Sequence, residues 1–138
     1  MDLIKRCLLL ACLLVLVACE GLPTRGSAAR DNMLSDYGAA IRWNEFEKAQ
    51  AFIDPVVRQQ QPMTALESER LKQIQVTGYE VKTRDVADDG SIVQTVEIRV
   101  VNRNTQIERI ISDRQSWRPD ATGKGYWLVS GLPDFSAR

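Results

Sequence analysis

Residues 92–100 read Ile92-Val93-Gln94-Thr95-Val96-Glu97-Ile98-Arg99-Val100, and their alternation decides the fold. Ile92, Val96, Ile98 and Val100 fall on one side, Thr95, Glu97 and Arg99 on the other. Successive side chains of an extended chain point to opposite faces, so this is a strand with one face against a core. Just upstream, Asp88-Asp89-Gly90-Ser91 is a turn signal. Before the turn, Ile74 to Asp85 again reads with period two, with Gly78 as a candidate bulge. Downstream, Asn102-Arg103-Asn104 turns the chain, and Thr105 to Trp117 forms a third strand. A loop at 119–125 leads to a short fourth strand, Tyr126 to Ser130. Strands joined by brief turns pair antiparallel.

Ahead of the strands the period changes to that of a helix. Asp31 is a good N-cap, and Met33, Leu34, Tyr37, Ala40 and Ile41 follow at three- and four-residue spacing. Asn44 with Glu47 three residues on predicts a second helix start, and Ala49, Phe52 and Ile53 continue its apolar face. Asp54-Pro55 stops that helix, and residues 56–62 read as a connection. Thr64 and Glu67 form another capping pair, opening a helix to about Lys72. The expected fold class is α+β: two or three short N-terminal helices packed on a curved four-stranded antiparallel meander.

The chain of 138 residues is long enough for one ordinary domain. Eighteen basic residues balance eighteen acidic ones, which argues against nucleic acid as a partner. Histidine is absent, so a His-centred triad, a histidine zinc site and a histidine pH switch are excluded. The Asp88-Asp89-Gly90-Ser91 turn lacks the further ligands of a calcium loop, and Gly123-Lys124-Gly125 lacks the context of a phosphate loop. No metal site, cofactor or catalytic residue is expected.

All three cysteines lie in the first nineteen residues. Lys5 and Arg6 precede twelve uncharged residues, Cys7 to Ala18, too short a run to span a bilayer. Length and flanks are those of an export signal. Leu16-Val17-Ala18-Cys19 resembles the bacterial lipoprotein signal, in which an aliphatic residue, a small or aliphatic one, a small one and a cysteine end the apolar run. The resemblance implies a diacylglycerol thioether on Cys19, cleavage between Ala18 and Cys19, and an N-acyl chain on the new amino group. Domain organisation then reads as signal peptide 1–18, lipidated flexible tether 19–30 and one domain over 31–138. Each buried methylene contributes roughly 0.8 kcal/mol, so three acyl chains would hold the protein on a lipid bilayer. Without Lys5, Arg6 and Asp2 the remaining chain has sixteen basic and seventeen acidic residues, and charge adds nothing to attachment at an acidic surface. With Glu20 and not aspartate after the cysteine, the resemblance implies the outer membrane, facing the periplasm.

Residues 37–54 and the ending Trp117 to Gly131, "WRPDATGKGYWLVSG", resemble the nuclear transport factor 2-like (cystatin-like) superfamily over about residues 32–133. That resemblance implies a leading helix pair closing a cone against a curved sheet, although this chain has no strands between its early helices. Some members bind small molecules in the cone and some are enzymes using an aspartate or histidine with tyrosine partners. Here only a carboxylate mechanism would survive. Ile107, Arg109, Ile111, Asp113, Gln115 and Trp117 share one strand face. Arg109, Asp113 and Trp117 are therefore the candidate pocket residues, with a structural role for Arg109 and Asp113 the competing reading. Adjacent Ile110 and Ile111 hint at a bulge that would exchange the faces. Tyr37, Trp43, Trp117, Tyr126 and Trp127 are candidate core or ligand-box aromatics.

The expectation for function is a membrane-anchored, non-enzymatic binding or accessory module that meets other envelope proteins. The alternatives are a small-molecule binder or isomerase-like protein using the cone, and a subunit of an envelope secretion or assembly machine.

Overall fold

The computed structural model describes residues 25–136 of the chain, so Ala18, Cys19 and the signal segment lie outside the described residues. The alternation at 92–100 places Ile92, Gln94, Val96, Ile98 and Val100 in the interior. They belong to β2, Ile92–Asn102, flanked by β1, Ile74–Val86, and β3, Glu108–Pro119. β4 is short, Tyr126–Leu128, and the spatial order is that of the chain. All neighbours pair antiparallel, as brief connections require. The β1–β2 register shifts between Val76 and Gly78, and again between Val81 and Thr83. Extra residues in one strand bend it and increase its twist, and Gly78 lies at the first shift as expected. The β2–β3 ladder runs unbroken from Ile92 opposite Trp117 to Val101 opposite Glu108. No bulge exchanges the faces at Ile110 and Ile111: Ile111 is buried and Ile110 is 60% exposed.

Among the described residues four helices precede the sheet: α1, Arg25–Arg42; α2, Phe46–Gln50; α3, Pro55–Gln60; and α4, Ala65–Lys72. The fold is α+β, with short helices on an open four-stranded antiparallel sheet. α1 begins six residues before Asp31, which corrects both the predicted cap and the flexible reading of residues 25–30. Ser27, Ala28, Ala29 and Arg30 propagate a helix well, and the Asp31 carboxylate is engaged by Arg30 at 3.1 Å and by Arg84 of β1 at 3.5 Å. Nor does Asn44 cap α2. It adopts φ 61°, and the amides of Asn44 and Glu45 close back onto the carbonyls of Ile41 and Ala40. That double closure is the left-handed C-terminal motif of α1. Its side chain serves β1 instead, donating to the Ile74 carbonyl at 2.6 Å and accepting from the Val76 amide at 3.1 Å.

The stretch read as a connection contains α3. Asp54 accepts from the Val56 amide at 2.8 Å and Pro55 takes the first helical position, so one Asp-Pro pair ends the earlier segment and starts this helix. α4 follows expectation: Thr64 Oγ1 accepts from the Glu67 amide while Glu67 accepts from the Thr64 amide. The third strand starts at Glu108, leaving Ile107 exposed, and the fourth ends at Leu128.

The core lies between α1 and α2 and the inner face of the sheet. Leu34, Tyr37, Ala40 and Ile41 of α1 are buried with Ile92, Val96, Ile98 and Val100, and Trp117 closes the far side. Tyr37 meets Trp117 edge to face at 5.0 Å and Phe52 at 5.7 Å. Tyr126 and Trp127 are only half-buried, and Trp43, at the turn that ends α1, is 73% exposed. Both sheet edges are partly occupied, the β1 edge beyond Tyr79 being left exposed. Residues 52–54 run beside β4, with the Asp54 amide bonded to the Leu128 carbonyl at 2.9 Å and the Leu128 amide to the Phe52 carbonyl at 2.8 Å. On β1, Asn44 covers the start and Arg42 donates to the Tyr79 carbonyl at 3.0 Å. Covering an edge in this way blocks pairing with another chain.

Candidate functional site

Arg109, Asp113 and Trp117 share a face of β3, but the fold gives them three different surroundings. Trp117 is 1% exposed and belongs to the core. Asp113 sits in a polar network above Val96, opposite it in the ladder. Arg109 reaches the C-terminal segment, donating from Nη2 to the Phe135 carbonyl at 2.8 Å. Four residues along a strand span about 13 Å, which is why Arg109 and Asp113 do not meet.

The network around Asp113 links Arg84 of β1 and Gln94 of β2 to Gln115 and Asp113, two polar positions on one face of β3. Arg84 Nε donates to Gln94 Oε1 at 2.9 Å, Gln94 Nε2 to Gln115 Oε1 at 2.6 Å, and Gln115 Nε2 to Asp113 Oδ2 at 2.8 Å. Two amides thus point the same way, oxygen toward the cation and nitrogen toward the anion, an alignment in which each bond polarises the next. Gln115 Nε2 also lies 3.1 Å from Tyr79 Oη. Burial pushes the Asp113 carboxyl above its ordinary value and the Tyr79 hydroxyl up to about 12. Burial also raises the Tyr37 hydroxyl well above its ordinary value, with the nearby Asp113 charge adding to it. Both hydroxyls are therefore protonated at neutral pH. Among the described residues Tyr37 Oη and Trp117 Nε1 are buried without a hydrogen-bond partner.

The room for a ligand lies elsewhere. A groove of about 640 Å³ runs between α3, α4 and residues 130–136, with Arg58, Arg70 and Arg109 on its walls and Ile53 and Phe135 at its base. A second, of about 550 Å³, lies across α4 and is bounded by α2 residues and Arg103. Met63, Leu71 and Ile74 line both, and neither is lined by Asp113 or Trp117. α4 has no buried residue, so it stands as a low wall between the two. These surfaces offer guanidinium and amide donors beside aliphatic carbon, which suits binding. Among the described residues no group of three acidic or cysteine side chains is placed to hold a metal ion, and no helix is long and apolar enough to cross a membrane.

Sequence reasoning missed Gln94, Tyr79 and three guanidiniums of the grooves, Arg58, Arg70 and Arg103, whereas Arg109, a candidate pocket residue, lines the first groove. Gln94 did carry a signal, since a polar residue in register with four apolar ones requires a buried partner. Arg58, Arg70 and Arg103 carried none, because they lie in different helices and turns and meet only in space.

Compared with known protein families, curated proteins and solved structures, the chain matches none. Fold and site therefore define only a class: a small α+β domain with a filled sheet face and a double groove beside its last helix.

Proposed function

We propose that the protein is a lipid-anchored, non-enzymatic binding module of the bacterial cell envelope. The observation that carries the binding role is the division of labour in the fold. Tyr37, Trp117 and Ile98 fill the inner face of the sheet, while the open grooves are lined by arginine, amide and aliphatic side chains. A carboxylate acting as a general base needs a substrate within hydrogen-bond reach. Asp113, the half-buried acid of the inner face, accepts instead from Gln115. The anchoring role rests on Leu16-Val17-Ala18-Cys19 at the end of an uncharged run. Attachment raises the effective concentration of a module near other envelope proteins, so a modest groove suffices for function.

Two measurements test the reading together. Cys19→Ser should abolish incorporation of a labelled fatty acid and release the chain from membranes; unchanged label in that variant would refute the anchor. A photo-crosslinking residue at Gln61 in the groove should trap an envelope protein in intact cells, whereas one at Arg114 on the outer sheet face should not. Equal trapping at both positions would remove the binding role from the groove.

A further inference from the structure

Resting on the binding-module reading, we propose that the two grooves form one docking trench, astride α4, for an acidic peptide segment of a partner protein. The apolar floor is continuous, because Met63, Leu71 and Ile74 border both sides. Its rim is unevenly charged in a chain whose acids and bases are equal in number. Arg58 and Arg103 donate only to the backbone carbonyls of Gln50, at 3.5 Å, and Ile74, at 3.4 Å. The Arg70 guanidinium makes no hydrogen bond or ion pair among the described residues, although it lies near enough to Glu67 to favour that carboxylate. None of the three has a carboxylate within ion-pair distance among the described residues.

Most of the acids nearby are already engaged, and Glu47, on the α2 side of the second groove, lies near Lys72. Glu67 accepts from the Thr64 amide and hydroxyl, Glu45 from Lys48, and Asp134 from the Ser136 amide and hydroxyl. Exposed guanidiniums that hold planar pairs of donors and lack an anion fit carboxylates in two-point contacts. Aliphatic floor between them fits apolar side chains spaced along the same segment. An acidic peptide carrying apolar residues supplies both.

Position in the fold favours a protein over the anchoring bilayer. α1 runs from the Asp31–Arg84 contact, near the end of β1, to the Asn44 clamp at its start. The trench borders Ile74, at that start. A helix of 18 residues is about 27 Å long, so the trench lies roughly that far from Arg25, where the chain leads back toward Cys19.

The test uses the full chain in detergent micelles and two labelled eight-residue probes, one alternating glutamate and leucine, the other lysine and leucine. Fluorescence anisotropy should show the glutamate peptide binding and the lysine peptide not binding. Affinity should fall as salt rises from 50 to 300 mM. Arg58→Glu with Arg70→Glu should weaken it at least tenfold, and Arg114→Glu on the outer face should leave it unchanged; circular dichroism confirms that each variant folds. Equal binding of both peptides, binding of neither, or full affinity in the double variant would overturn the proposal. So would attachment to phosphatidylglycerol vesicles that requires Arg70 while the peptide goes unbound, since the trench would then read lipid. Cys19→Ser separates the two readings, because loss of the anchor leaves peptide affinity intact.

Discussion

Tyr37 and Trp117 meet edge to face with ring centroids 5.0 Å apart, and the polar atom of each is buried without a hydrogen bond among the described residues. The pair is the centre of the core and also its largest polar debt. Removing an unpartnered buried hydroxyl should relieve about 1 kcal/mol of desolvation. Tyr37→Phe is therefore expected to raise the urea midpoint, whereas Trp117→Ala should lower stability by about 3–5 kcal/mol. A strongly destabilised Tyr37→Phe would show that the hydroxyl has a partner in solution.

Asn44 combines a left-handed backbone with a side chain that occupies the edge of β1. Asn44→Gly keeps the first and loses the second, so its cost isolates the two edge hydrogen bonds and should be about 1–3 kcal/mol. Asn44→Ala loses both and should be worse. Equal stability of the glycine variant and the parent, by chemical denaturation, would mean that water replaces the clamp without cost.

Asp113 and Asp54 should shape the acid limb of stability in opposite senses. Burial raises the Asp113 carboxyl, so the folded protein binds that proton at higher pH than the unfolded chain does. Stability from this group is present below the ordinary carboxylate range and is lost as pH rises through the raised value. Asp113→Asn should thus be more stable than the parent at pH 7, the gap closing in acid. Asp54 is held below its ordinary value by the Val56 amide and then by Arg118. Its contribution is present above the ordinary range and lost as pH falls through the lowered value, so Asp54→Asn should be less stable at pH 7 and converge with the parent in acid. Urea midpoints from about pH 3 to pH 7 measure both.

Gly38 lies on α1 under the Tyr79 ring, where an added Cβ would come within 2.9 Å of Cε1. Alanine is favoured over glycine in a helix by about 1 kcal/mol, yet Gly38→Ala should destabilise because the ring is tied to Gln115. In a Tyr79→Ala background the same change should become stabilising by up to that amount. A double-mutant cycle with no coupling would remove the steric account.

α4 is held by its capping box and by the Lys72–Glu69 pair at 2.6 Å, with no side chain of its own buried. Thr64→Ala should cost about 1 kcal/mol and fray this helix before the sheet. Hydrogen exchange should then accelerate at the amides of α4 and leave those of β2 protected. Uniform acceleration would show that α4 unfolds only with the whole domain.

Much of the architecture was legible because it is local. Alternation over residues 92–100 specifies a half-buried strand whatever it packs against, and Thr64 with Glu67 specifies a helix start within four residues. Where the reading missed, a distant partner had taken the side chain. Asp31 and Asn44 both look like caps, but Arg84 and the edge of β1 engage them. The candidate residues Arg109, Asp113 and Trp117 were correctly placed on one face. What surrounds each of them could not be read from β3 alone.

From its sequence this chain could only be a short helical layer ahead of an antiparallel meander without histidine chemistry, because periodicity, turn residues and composition act within a few positions of one another. Which polar groups are buried, and that guanidiniums from α3, α4 and the β2–β3 turn line two neighbouring grooves, was decided by tertiary structure. Those groups lie up to 45 positions apart in the chain, from Arg58 to Arg103, and converge only once α4 has folded against the start of β1.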